Sequence, residues 1–127
     1  MSHWTEKKTN FTDIEALKDA CNMLGLNLVQ NAKARGWAGN TKKAEYVIKL
    51  NGSYDVALIR TDNHWDISAD WFDGSVEKVI GKDGNKLKQA YTCAAAVKVA
   101  RANGHPIEMQ RVDSGDIKLV IQMGARG

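Results

Sequence analysis

Residues 44–71 carry three alternating segments in a row, and nothing between them is long enough for a helical crossover. Ala44 to Leu50 alternates and runs into Asn51-Gly52, the pair most often found at the centre of a type I′ hairpin turn. Tyr54 to Arg60 reads as the returning strand, with Tyr54, Val56 and Leu58 on one side. Thr61-Asp62-Asn63 then turns the chain into His64 to Trp71, where Trp65, Ile67, Ala69 and Trp71 face one way and His64, Asp66, Ser68 and Asp70 the other. Parallel strands need crossovers of a dozen or more residues, so these segments make an antiparallel meander. Any fold proposed for the chain has to be built around it.

The flanking segments supply helices. Ser2 to Thr9 reads as a strand, after which Thr12 is the expected N-cap, with Glu15 three residues on to complete a capping box. Ile14, Leu17, Cys21 and Leu24 recur at helical spacing, and Gly25 followed by Leu26 is a C-terminal stop. Leu26 to Gln30 is a short strand leading to a basic loop over residues 31–40. Asn85 to Ala102 is rich in helix formers, with an apolar stripe of Leu87, Ala90, Tyr91, Ala94 and Val97. Lys98 and Arg101 near its end complement the helix C-terminus. Asn103-Gly104-His105-Pro106 stops it, and two strands follow, Ile107 to Val112 and Ile117 to Met123, joined by Asp113-Ser114-Gly115-Asp116. The expected architecture is a single α+β domain over residues 1–127, a twisted antiparallel sheet with two helices on one face, in the order β-α-β-β-β-β-α-β-β.

Composition narrows the function classes. The 127 residues hold 18 Lys and Arg against 15 Asp and Glu, a net charge of +3 that is too small to announce a large electrostatic footprint. No apolar run approaches the roughly 20 residues that cross a bilayer, and the first residues lack the apolar core of a secretory signal, so a cytoplasmic protein without a membrane partner is expected. Cys21 and Cys93 have no ligand-spaced Cys or His beside them, and no metal or cofactor is expected. Gly81-Lys82-Asp83-Gly84-Asn85-Lys86 looks like a phosphate loop only superficially, since its glycine spacing is wrong and Asp83 repels an anion.

Two stretches are candidates for chemistry. The basic loop combines Lys33, Arg35, Lys42 and Lys43 with Trp37, Asn40 and Thr41, framed by Gly36 and Gly39. Cations attract phosphate or an acidic partner, and an aromatic ring stacks on a base or plugs a pocket. Arg35, Trp37, Asn40, Thr41 and Lys42 are therefore the expected ligand-binding residues; the alternative is a polar connection whose Trp37 folds back as a lid on the core. The second stretch is the polar strand face, where Asp55, His64, Asp66 and Asp70 are the acid–base candidates of a small enzyme or small-molecule handler. Asp66 and Asp70 stand roughly 13 Å apart along a strand, too far to share one bond. An acidic, water-facing sheet surface with a solvated His64 is the expectation, and no catalytic residue is assigned.

Several motifs resemble a known family. Met1-Ser2-His3-Trp4, Lys7-Lys8-Thr9 and the helix from Ile14-Glu15-Ala16-Leu17 to Leu24-Gly25 are similar to the start of the plastid hypothetical reading frame thirty-five family, found in cyanobacteria, algal plastids and some phages. Arg35-Gly36-Trp37-Ala38-Gly39-Asn40-Thr41 resembles that family's R-G-aromatic-x-G-x-T loop. Tyr54-Asp55-Val56, Ala69-Asp70-Trp71, Tyr91 and Asp116-Ile117-Lys118-Leu119-Val120 also fit, in the expected order. The chain departs from the pattern between Trp71 and Leu87 and at Gly124-Ala125-Arg126-Gly127. The family has no settled activity, so the resemblance implies a fold and a cyanobacterial, related bacterial or phage host rather than a mechanism. The function expected is a non-enzymatic binding or adaptor module for an anionic or aromatic ligand, with nucleotide, nucleic acid or an acidic protein as partner.

Overall fold

A computed structural model describes residues 4–105, 107–111 and 117–121. Its elements run β1 (Trp4–Phe11), α1 (Ile14–Met23), β2 (Asn27–Arg35), β3 (Thr41–Lys49), β4 (Val56–Thr61), β5 (His64–Asp70), α2 (Ser75–Ile80), α3 (Asn85–Ala102), β6 (Ile107–Arg111) and β7 (Ile117–Ile121). The fold is α+β, as expected, with one short helix more than the sequence suggested. Five strands form an antiparallel sheet in the order β1-β5-β4-β3-β2, while β6 and β7 pair with each other as a separate hairpin beside α3. The turn expected over residues 113–116, like Met123 and Pro106, lies outside the described residues.

One face of the sheet carries the main core. Phe11, Ile48, Val56, Leu58, Ile67 and Ala69 meet Leu17, Ala20 and Cys21 of α1, Val76 and Ile80 of α2, and Leu87, Ala90, Tyr91 and Ala94 of α3. The stripe read for α3 is the set it buries, Leu87, Ala90, Tyr91, Ala94 and Val97. Burial pushes the Cys21 thiol up to about 12, as befits a small core residue rather than a nucleophile.

The ends of α1 divide expectation from outcome. At its C-terminus Gly25 takes φ 71°, Gly25 N–H donates to Asn22 O (3.1 Å) and Leu26 N–H to Cys21 O (2.8 Å), the doubly bonded stop that the Gly-Leu pair encodes. At its N-terminus the cap is Asp13, not Thr12. Asp13 Oδ1 accepts from Glu15 N–H (3.0 Å) and Ala16 N–H (3.3 Å), while Thr12 N–H and Asp13 N–H both donate to the Tyr91 hydroxyl. Lys98 Nζ reaches Asp13 Oδ2 at 2.5 Å, so this lysine ties α3 to the start of α1.

Three further expectations are corrected. Asn51-Gly52 is not a two-residue turn: β3 ends at Lys49 and β4 begins at Val56, with Ile48 opposite Val56. Leu50 N–H donates to Asp55 Oδ1 (3.0 Å), so a carboxylate rather than a tight turn closes the connection. The strand after α1 does not stop at Gln30, since β2 continues through Lys33 to Arg35, paired with β3 down to Arg35 opposite Thr41. The basic loop is therefore the distal half of a long hairpin. Trp71 lies just beyond β5, its Nε1–H donating to Thr5 O (3.0 Å).

Candidate functional site

The hairpin of β2 and β3 folds back on itself. Its base pairs Asn27 with Lys49, and its tip, residues 36–40, follows directly on the far end of β2 at Arg35. Yet Arg35, at the tip, bonds to Leu50 O (2.7 Å) and Asp55, next to the base. Asn31, left-handed at φ 53°, lies midway along β2. The distal half thus covers the second face of the sheet, where Ala34, Val47 and Ala57 are fully buried with Ala32, Ala44, Val29, Ile59 and Trp4 packed against them. Small side chains allow the two layers to approach closely.

Three aspartates are buried, two of them (Asp55 and Asp70) securing this layer and the third (Asp66) joining β5 to β1, which overturns the reading of an acidic, water-facing surface. Asp55, Asp66 and Asp70 are 0%, 7% and 0% exposed. Asp55 takes Arg35 Nε and Nη2 at 2.9 Å each in a bidentate pair, and also accepts from the backbone N–H of Arg35 (2.9 Å) and of Leu50. Lys49 Nζ adds a contact at 3.5 Å. Burial acts to raise the Asp55 pKa, but the Arg35 guanidinium and the two N–H donors outweigh it and hold the carboxyl below its usual value. The same pair raises Arg35. Asp66 accepts from Thr9 N–H (3.0 Å) where the β1–β5 register breaks, and His64 Nε2 lies 2.9 Å from it, so His64 is a bonded partner rather than a solvated ring. Carboxylates go inside because backbone donors that lack a strand partner wait for them there.

Asp70 does the same work at the tip. Its Oδ2 accepts from Trp37 N–H (3.0 Å) and its Oδ1 from Phe72 N–H (3.1 Å). One buried group thus fixes the backbone of two residues whose rings reach the surface, Trp37 at 38% and Phe72 at 63% exposure. Gly36 seats the tip on β1: a Cβ there would stand 2.6 Å from the Trp4 ring. Asn40 Nδ2 donates to Trp37 O (2.8 Å), and Lys42 Nζ lies 5.7 Å from the centre of the Trp4 ring.

Of the five expected binding residues, Arg35 and Asn40 are engaged in building the tip and Lys42 lies over Trp4. Thr41 and Trp37 face outward. Sequence reasoning missed Phe72, whose only signal was an aromatic directly after the Ala-Asp-Trp motif. It also missed that Lys33 and Lys43 are cross-strand neighbours, both exposed. Of the acid–base candidates only His64 and Asp66 meet, at 2.9 Å, while Asp55 and Asp70 are each bonded to a different part of the backbone. Among the described residues no group of three or more His, Cys, Asp or Glu is placed to hold a metal. No described helix is long and apolar enough to cross a membrane. The phosphate-loop look-alike is closed by Asp83, which pairs with Lys7 at 3.0 Å.

Comparison with known proteins agrees with the resemblance noted from the motifs. The family described as "Protein of unknown function (DUF1257)" matches residues 20–120. Among curated proteins, the "Uncharacterized protein ycf35" of Guillardia theta is 30% identical, covering 96% of this chain and 97% of its own length. Proteins of the same name from Pyropia yezoensis and Cyanophora paradoxa are 28% and 24% identical over the same shares. No solved structure matches the chain.

Proposed function

The chain belongs to the DUF1257 family, for which no activity is described, and we propose that it is a non-enzymatic binding or adaptor module that offers the tip of its folded-back hairpin to an anionic or aromatic partner. The observation that carries this reading is the Asp70 clamp. A fully buried carboxylate spends both oxygens on the backbones of two residues whose rings are exposed. Rings held on a rigid backbone lose little freedom when a partner docks, which is where binding energy concentrates.

The charges nearby set the sign of the partner. Lys33 stands directly opposite Lys43 with both side chains exposed, a like-charge pair that costs the sheet stability and that an anion relieves. In this reading Trp37, Thr41 and Lys42 contact the ligand, while Arg35 and Asn40 hold the tip in shape. A nucleotide, a nucleic acid or an acidic protein segment would all meet that chemistry.

Titration of Trp fluorescence with nucleoside triphosphates and with short oligonucleotides tests it. The expected result is a saturable change that disappears in Trp37→Ala and weakens in Asp70→Asn, where one of the two N–H groups loses its acceptor. Oligonucleotide binding should fall steeply with salt and nucleotide binding more gently. An unresponsive wild type, or an undiminished response in Trp37→Ala, overturns the reading.

A further inference from the structure

β3 changes neighbours along its length. From Tyr46 to Ile48 it pairs with β2 on one side and β4 on the other, whereas from Thr41 to Ala44 its only described partner is β2. The Gly36 N–H to Asn40 O bond (2.7 Å) closes the hairpin and sets its alternation. By that alternation Thr41 and Lys43 turn their N–H and C=O groups away from β2. The opposite margin of the hairpin shows the same rule with the groups occupied. Lys33 C=O accepts from Lys49 Nζ (2.6 Å), Arg35 N–H donates to Asp55, and Arg35 C=O accepts from Asp55 N–H (3.0 Å). Along Thr41–Lys43 no bond from a described residue reaches the outward N–H and C=O, β4 pairing only from Tyr46 on, and Thr41 and Lys43 are exposed.

We propose that this margin of β3 receives an extended, acidic polypeptide segment of a partner protein, which adds a strand beside Thr41 and Lys43. Strand addition supplies main-chain hydrogen bonds, and side-chain charge selects among segments. The choice of an acidic occupant rests on charge complementarity: Lys33, Lys42 and Lys43 surround this stretch against the single carboxylate of Glu45. A second copy of the chain is disfavoured by the same charges, since pairing this edge with itself in antiparallel fashion about Lys43 would set lysine against lysine. The proposal goes beyond the reading of the tip, because it uses the backbone of β3 and not the rings of Trp37 and Phe72.

The test uses a short, capped, fluorescein-labelled peptide alternating glutamate and valine, with a lysine–valine peptide as its charge-reversed control, read by anisotropy on the full chain. The acidic peptide should bind, the basic one should not, and Lys43→Glu should weaken binding about tenfold or more, a loss of about 1.4 kcal/mol or more. Amide hydrogen exchange at Thr41 and Lys43 should slow by about tenfold or more when the peptide saturates, as expected of amides newly closed in a ladder. Lys43→Pro removes one outward N–H at a position where an edge strand tolerates proline, and should abolish binding while the thermal transition persists. If that variant fails to fold, Lys43→Glu and the exchange pattern decide alone. Absent binding, equal binding of the two peptides, or protection confined to other amides overturns the proposal. So does a dimer in sedimentation that protects the same amides without peptide. Trp37→Ala should leave peptide binding unchanged, so failure at the tip and failure at the edge are separate results.

Discussion

The two faces of the sheet are held by different physics. Under the helices, Phe11, Leu17, Ile48, Leu58, Ile67 and Leu87 are all at or below 1% exposure and make an apolar core in which area removed from water dominates. Under the hairpin the fully buried apolar residues shrink to Ala34, Val47 and Ala57, and the buried Asp55 and Asp70 do the fastening. A layer made of charge-assisted hydrogen bonds depends on protonation and on individual donors; a layer made of packed hydrocarbon depends on volume.

That contrast is broken most directly from the apolar side. Phe11 is fully buried with its ring 4.7 Å from that of Tyr91, and Phe11→Ala should cost about 3–5 kcal/mol of unfolding free energy at any pH. Urea denaturation at neutral and acid pH checks both the size and the absence of pH dependence in the loss.

Asp55→Ala should cost about 3 kcal/mol at neutral pH, near the lower end for a broken buried pair because half of the Arg35 side chain already meets water. Its pH dependence carries the sharper message. The folded-state pKa of Asp55 lies below its usual 3.8, so the stability it contributes is fully present above that value and is lost as pH falls through the folded pKa. Wild type should therefore lose stability in acid more steeply than Asp55→Ala, and the two curves should converge at low pH. Parallel curves would mean that the hairpin layer is held by packing after all.

The smallest effect separates the two cap candidates. Asp13→Ala should lower stability by about 1 kcal/mol, and Thr12→Ala should stay within about 0.5 kcal/mol, in thermal melts of the single variants. The Lys98 hydrogen bond lowers the Asp13 pKa, so its contribution too is present above the ordinary carboxylate value and fades below it.

What was legible in the sequence follows the same division. The helix-side core announces itself because apolar residues recur at the period of the element that buries them: the five stripe residues of α3 are the five it buries, and Gly25-Leu26 marks the end of α1 by local backbone geometry alone. The hairpin side is silent because its signals are tertiary. Alternation in β5 correctly puts His64, Asp66, Ser68 and Asp70 on one face, but periodicity cannot say that a second layer covers that face. The bend depends on one left-handed residue, Asn31, in a stretch otherwise suited to a loop. Asn51-Gly52 misleads because Asp55 binds Leu50 N–H and Arg35, and those bonds shape the connection more strongly than turn preference does. Of the candidate site, the residues Arg35, Gly36, Trp37 and Asn40 could be picked out, and their roles could not.

The seat of Gly36 on Trp4 also bears on how the protein behaves in crowded solution. β1 and β2 are the outermost strands of the sheet, and this contact fastens the end of one to the beginning of the other. A sheet whose margins are tied together offers fewer raw edges for indiscriminate stacking into aggregates. When acid or a substitution loosens the tip, the backbone groups of Lys33 and Arg35 and the alanine-lined layer come into the open together. Turbidity should then rise at a pH where the helix signal in circular dichroism is still intact.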